Sequence, residues 1–300
     1  MTNRRDFLRY SGAATVAAAA PAMALEHDPL PARPIPGTDQ QMAIIGLGNS
    51  SAFRSGDHAL STALLEAFLS RGGNYVDAGG SSADFVGRLG RELGKTGQLF
   101  IGNYIDPADE SAMREEAIRL AQVQGKTALD LVHTRDLDGF RASHGIYEEL
   151  KNDGLVRFVG VARSGVGSHG QIAGLIEDGL IDFVQVNYSM MEPEAGERLL
   201  PLAIDRGIGV AVSRPFINGR YFAMVRGREL PEWVTEFDCG SWAQFSLKYI
   251  LAHPAVNCVL TETADRQHLV DNLRAGFGRL PDESMRERMF DYMQAIMNSQ

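Results

Sequence analysis

Tyr147-Glu148-Glu149-Leu150-Lys151-Asn152-Asp153-Gly154-Leu155-Val156-Arg157-Phe158-Val159-Gly160-Val161 runs from a helical pattern, across one glycine, into an apolar strand pattern. Tyr147 to Lys151 reads as helix and Phe158 to Ala162 as strand, the unit from which a parallel sheet is built. The same alternation extends outward from Met42 onward. Strands are expected at Ala43 to Leu47, Tyr75 to Asp77, Leu99 to Asn103, Leu129 to His133, Phe183 to Asn187, Val210 to Ser213 and Cys258 to Thr261. Between them fall helices such as His58 to Ser70, Asp84 to Leu93, Ser111 to Gln122, Glu194 to Asp205 and Ser241 to Ala252. Each strand and helix fits a right-handed crossover. Eight such strands close more naturally than they stay open, so the expected fold is α/β, a (β/α)8 TIM barrel over 42–300 with a C-terminal extra helix. That helix, Asp282 to Met297, is opened by Pro281-Asp282 and carries Met285, Met289, Tyr292, Met293 and Ile296 as a core-packing stripe.

Three hundred residues at 44% hydrophobic content suffice for one large domain. A formal net charge of -9 and the lack of a Lys/Arg cluster in the body of the chain exclude nucleic acid and anionic membrane as partners. The N-terminus differs. Asn3-Arg4-Arg5-Asp6-Phe7-Leu8-Arg9 precedes a soft apolar run, Ser11 to Ala20, and then Ala22-Met23-Ala24. This reads as a twin-arginine signal peptide over 1–24, implying the twin-arginine export machinery as partner and a periplasmic destination. The run is too short and too rich in Ala and Gly for a stable membrane span. Pro29, Pro31, Pro34 and Pro36 mark 25–41 as a stiff linker. Cys239 and Cys258 are expected to remain unpaired thiols, and no residues show metal-site spacing.

In a barrel of this kind functional side chains sit where strands end. That rule selects Asn49, Asp77, Tyr104, the His133 to Asp136 region, Arg163, Asn187, Ser213 to Pro215 and Thr261 to Thr263.

The stretch from Tyr147 to Val161 resembles the helix-Gly-strand signature of the aldo-keto reductase family. Phe183-Val184-Gln185-Val186-Asn187-Tyr188-Ser189 resembles that family's sixth strand, and Ile45-Gly46-Leu47-Gly48 its first. Gly207-Ile208-Gly209-Val210, Ser213-Arg214-Pro215-Phe216 and His268-Leu269-Val270-Asp271-Asn272-Leu273 continue the likeness over nearly the whole domain. The resemblance implies hydride transfer from NADPH or NADH to a carbonyl, with a Tyr as proton donor, a Lys lowering its pKa, an Asp orienting the Lys, and a His placing the carbonyl. Carried onto this chain, Asp77 keeps the Asp position, Ser82 takes the Tyr position and Tyr104 the Lys position. The His position falls on Arg135 by gapless alignment, or on His133 by matching the strand end; both lie on one face of the strand. Arg135 would be a fixed donor for a carboxylate or phosphate, or a partner for Asp77. For the NADP or NAD cofactor, Gln185 and Asn272 match the family, Arg163 and Ser213 replace its usual residues, and Arg214 is a further candidate contact. Glu262 and Asp265 stand where a phosphate-binding cation is common, with Arg266 beside them. Three functions remain open: an exported NAD(P)H-dependent reductase, a non-catalytic barrel holding an anionic small molecule, and a nicotinamide-independent lyase or isomerase using Asp77 and His133.

Overall fold

The computed structural model describes residues 28–80 and 82–299. The expected signal peptide lies outside the described residues. Among the described residues there are ten strands. β1 (Ala32–Pro34) and β2 (Gln41–Ala43) form an antiparallel pair, Ala32 opposite Ala43. β3 (Ile45–Leu47), β4 (Tyr75–Asp77), β5 (Phe100–Tyr104), β6 (Leu129–Thr134), β7 (Val156–Ala162), β8 (Phe183–Asn187), β9 (Gly209–Ser213) and β10 (Cys258–Thr261) then run parallel, each beside its successor. β10 pairs with both β9 and β3, closing the barrel.

The strand period of two divides each barrel strand into an outward face packed on helices and an inward face. Outward residues such as Val76, Ile101, Val132, Val184 and Val210 join the large apolar layer under the helices. Inward residues build a separate core of Tyr75, Phe100, Leu131, Phe183, Ala211, Cys258 and Leu260. Tyr75 meets Phe100 edge-on at 5.4 Å, and Phe158 meets Phe183 at 5.4 Å, so the lower barrel is filled with rings. Glycines make room for these rings. A Cβ on Gly209 would lie 2.4 Å from the Phe183 ring, and one on Gly102 would lie 2.9 Å from the Tyr75 hydroxyl.

Helix starts follow the sequence closely, because short polar side chains cap them. Asp57, Asp109, Ser241 and Asp282 each accept from the backbone N–H three residues on, contacts worth about 1 kcal/mol each. The tail helix, Glu283–Asn298, buries Met289, Met293 and Ile296 as the stripe implied. The expected helix from Glu194 to Asp205 is divided into a 3-10 turn at Glu194–Gly196 and a helix at Leu199–Arg206. Cys239 and Cys258 are both buried and free.

The reading of 25–41 as a linker requires correction. β1 lies within it, and Ile35 (1% exposed) joins Met42 in plugging the inward core. Arg33 donates to the carbonyls of Leu251 and Val256, while the Asn257 amide donates to the Pro34 carbonyl at 3.0 Å. Proline lacks an N–H and is confined to strand edges, so a three-residue edge strand ending in Pro34 leaves little periodicity to read.

Candidate active site

The inward alternation that fills the lower barrel continues to the C-terminal rim. Tyr75 is followed by Asp77, Gly102 by Tyr104, Leu131 by His133 and then Arg135, Phe183 by Gln185, Ala211 by Ser213, and Leu260 by Glu262. The upper members of these series line a mouth cavity of about 400 Å³ together with Asn49, Arg54, Ala162, Arg163, Ser164, Arg214 and Asn218.

Asp77 sits at its floor, 5% exposed. Gln185 Nε2 donates to Asp77 Oδ2 at 3.3 Å and reaches the Tyr104 hydroxyl at 3.4 Å. Asp77 Oδ1 and Gln185 Oε1 are buried without hydrogen-bond partners. Burial raises the Asp77 carboxyl to about 6, against hydrogen bonding from Gln185, the Arg135 charge and the Tyr104 hydroxyl. Tyr104 is pushed well above the usual phenol range by burial and by Asp77. Its ring carries the Arg135 guanidinium at 4.0 Å, a cation–π contact. Arg135 thus stacks on Tyr104 and forms no ion pair with Asp77, because the ring lies between β4 and the loop after β6 and takes the planar face of the guanidinium.

Other expected residues fall elsewhere. His133 is one layer below Arg135, fully buried, with Nε2 3.4 Å from the Tyr75 hydroxyl and Nδ1 unpartnered. Burial and Arg135 lower it to about 3, so it is a neutral ring of the core and does not line the cavity. Ser82 begins the helix Ser82–Glu92 and is likewise fully buried, donating to Asn49 Oδ1 at 2.6 Å. It does not line the mouth. Arg266 is exposed at the start of the helix Arg266–Arg274, outside the mouth and its neighbouring cavities. Asn272 is buried and lines a second cavity, about 310 Å³, with Phe216, Phe222, Trp242 and Glu262. Glu262 lines both cavities. Sequence reasoning did not find Arg54, placed at the rim by the short helix Ser51–Ser55. Its only signal was a cation soon after the first barrel strand.

A third space, a cleft of about 790 Å³, shares Arg135, Arg163 and Ser164 with the mouth and is otherwise lined by Asp106, Asp136, Asp138 and Gln171 among others. Arg54 faces Glu262 at 3.8 Å and Arg214 faces Glu192 at 3.7 Å. Among the described residues, Arg135 and Arg163 have no carboxylate within ion-pair distance. Arg214, Ile217 and Asn218 all adopt positive φ, near +50 to +55°, so the loop after β9 holds strained backbone beside the mouth.

Residues 44–288 match the Aldo/keto reductase family, and the chain belongs to it. Residues 1–21 match the twin-arginine translocation pathway signal sequence. Among solved structures, an aldo-keto reductase of Bacillus halodurans in its holo form is similar at TM-score 0.72, with 18% identity over 88% of this chain and 96% of that one. An aldo/keto reductase of Klebsiella pneumoniae, in complex with NADP and acetate, follows at TM-score 0.69 and 18% identity over 86% and 94%. Another from that organism, in complex with NADPH, gives TM-score 0.67 and 19% identity over 85% and 93%. No curated protein matches the chain. At these identities the neighbours establish the barrel and its topology.

The residues present meet a nicotinamide dinucleotide unevenly. Gln185 Oε1 is free at the mouth and the second cavity is aromatic. Asn187, however, is engaged by the Gly165 N–H at 2.7 Å and by Glu192 at 2.6 Å. The N-terminus of the helix Arg266–Arg274 is filled by its own Asp265, whose carboxylate accepts from the N–H groups of Gln267 and His268. A phosphate at that end would meet carboxylates. Among the described residues no helix is long and apolar enough to cross a membrane, and no cluster of potential metal ligands occurs.

Proposed function

We propose that this chain is an exported, periplasmic aldo-keto reductase-family barrel whose mouth binds a small anionic molecule, with the family's ordinary reduction of carbonyls by NADPH lost. The observation that carries the reading is the pair of guanidinium groups, Arg135 and Arg163, that face the mouth with no carboxylate partner among the described residues. A guanidinium offers paired donors matched to a carboxylate, and a partly enclosed site strengthens the contact.

Carbonyl reduction requires an acid at the reacting oxygen. Ser82 is buried against Asn49, and Tyr104 is a phenol made less acidic by its surroundings with no lysine beside it. The remaining alternative, an acid–base pair of Asp77 and His133, is disfavoured because His133 lies beneath the mouth and is held neutral. Calorimetric titration of the purified exported protein with pyruvate, as a small carboxylate probe, is expected to show saturable binding that Arg135→Ala and Arg163→Ala each weaken about tenfold or more, as for a lost charge-assisted hydrogen bond. In parallel, simple aldehydes with NADPH should show no turnover. Absence of pyruvate binding, or brisk aldehyde reduction lost in Tyr104→Phe, overturns the reading.

A further inference from the structure

We propose that Asp77, with Tyr104 and Arg135, forms a proton-transfer centre that enolises a small oxo acid without a nicotinamide. The inference rests on the anionic-ligand reading and goes on to assign chemistry to the same mouth.

Three geometric facts converge. Asp77 is a carboxyl at the floor of a cavity of about 400 Å³, with one oxygen held by Gln185 and the other unpartnered. Arg135 is held over the Tyr104 ring, so a guanidinium and a phenol stand together on the wall beside that carboxyl. Arg163 at the rim supplies a second cation with no carboxylate partner, placed for the acid group of a ligand. A carboxyl that only stabilised the barrel would be expected to have its charge met by a neighbouring cation, yet among the described residues no basic side chain lies within ion-pair distance of Asp77.

The step balances within the site. With the carboxylate of the oxo acid on Arg163, the Asp77 carboxylate takes a proton from the carbon next to the ketone. The C–H electron pair becomes the new C=C bond, and the carbonyl π pair moves onto oxygen. That oxyanion is met by the Arg135 guanidinium and the Tyr104 O–H. Tyr104, made less acidic by its surroundings, remains a neutral donor throughout. The Asp77 carboxylic acid trades that proton with solvent through the mouth and returns a solvent-derived one to carbon. No electron is gained or lost, and no co-reactant is needed. The groups facing Asp77 are Tyr75 on its own strand, Tyr104 from β5, Arg135 after β6, Gln185 from β8 and Glu262 after β10. Burial raises the Asp77 carboxyl to about 6 against the lowering by Gln185, Arg135 and Tyr104, a value suited to taking and returning a proton near neutrality.

The test is deuterium exchange into pyruvate and 2-oxobutyrate, read by loss of the C3 proton signals in D2O, from about pH 5 to about pH 8, with the purified exported protein and no nucleotide. Exchange faster than in buffer is expected, rising with pH through about 6 and then levelling. Asp77→Asn should reduce it to the buffer rate while calorimetric binding of pyruvate persists, and Tyr104→Phe should slow it roughly 10²-fold. Should Asp77→Asn fail to fold, the Tyr104→Phe loss and the pH profile still decide. Wild-type exchange no faster than buffer, with pyruvate bound, overturns the proton-transfer centre and leaves the binding reading standing. If neither oxo acid binds, both fall.

Discussion

A buried carboxylate is costly, and Asp77 carries that cost. Its folded pKa, about 6, stands above the ordinary 3.8, so between these values the folded state binds more protons than the unfolded one. Stability contributed by its protonated form is complete below the lower value and is lost as pH rises through the upper. A shift of roughly two units corresponds to about 3 kcal/mol at neutral pH, as an order of magnitude. Asp77→Asn keeps the shape and removes the charge. We therefore expect its melting temperature to exceed that of the wild type at about pH 8 and to converge with it near pH 4. Thermal unfolding across that range checks this, and a variant less stable than wild type at high pH would show that the Asp77 charge is compensated in the fold. At this scale strand ends and a period of two pointed to Asp77, Tyr104 and the stretch holding His133 and Arg135, while Gln185 was indicated by the family resemblance alone. The sequence did not resolve that Tyr104 would take Arg135 onto its ring, or that Ser82 would turn down onto Asn49, since both depend on side-chain orientation around the rim.

The elements differ in how far local pattern determines them. The eight barrel strands were legible because each is an apolar run with turn signals on both sides, and their observed bounds differ from the expected ones by two residues or fewer. The β1–β2 pair was not, because its stability comes from distant partners: Arg33 bonds to carbonyls more than two hundred positions away, and Ile35 fills the lower barrel. Cutting Ile35 to Ala removes a side chain that is 1% exposed and should cost about 2–5 kcal/mol, since a plug held by one short hairpin has little freedom to collapse into the space. Chemical denaturation provides the check. A cost below about 1 kcal/mol would mean that the hairpin detaches readily and that 25–41 behaves as a linker after all.

For the whole molecule the decisive property is polarity along the barrel axis. β1, which joins the N-terminal segment to the domain, lies under the barrel with Asn257, while Asp77, Arg135 and Arg163 open at the opposite end. The described chain therefore enters the domain at the end away from the mouth. Because the twin-arginine route moves folded proteins, export should depend on the Arg4-Arg5 pair and on barrel integrity, and not on the mouth. Changing Arg4 and Arg5 together to Lys should leave precursor in the cytoplasm. Arg163→Ala should export as the wild type does, because this exposed rim side chain makes no ion pair that the fold uses. Ile35→Ala should lower the exported fraction in step with its loss of stability, because its unfolded population rises about tenfold for every 1.4 kcal/mol lost. Fractionation followed by immunoblotting reads all three. Periplasmic recovery of the double Lys variant at wild-type levels would sink the assignment of the route, and export of Ile35→Ala undiminished despite a measured destabilisation would show that the barrel need not be folded when it crosses.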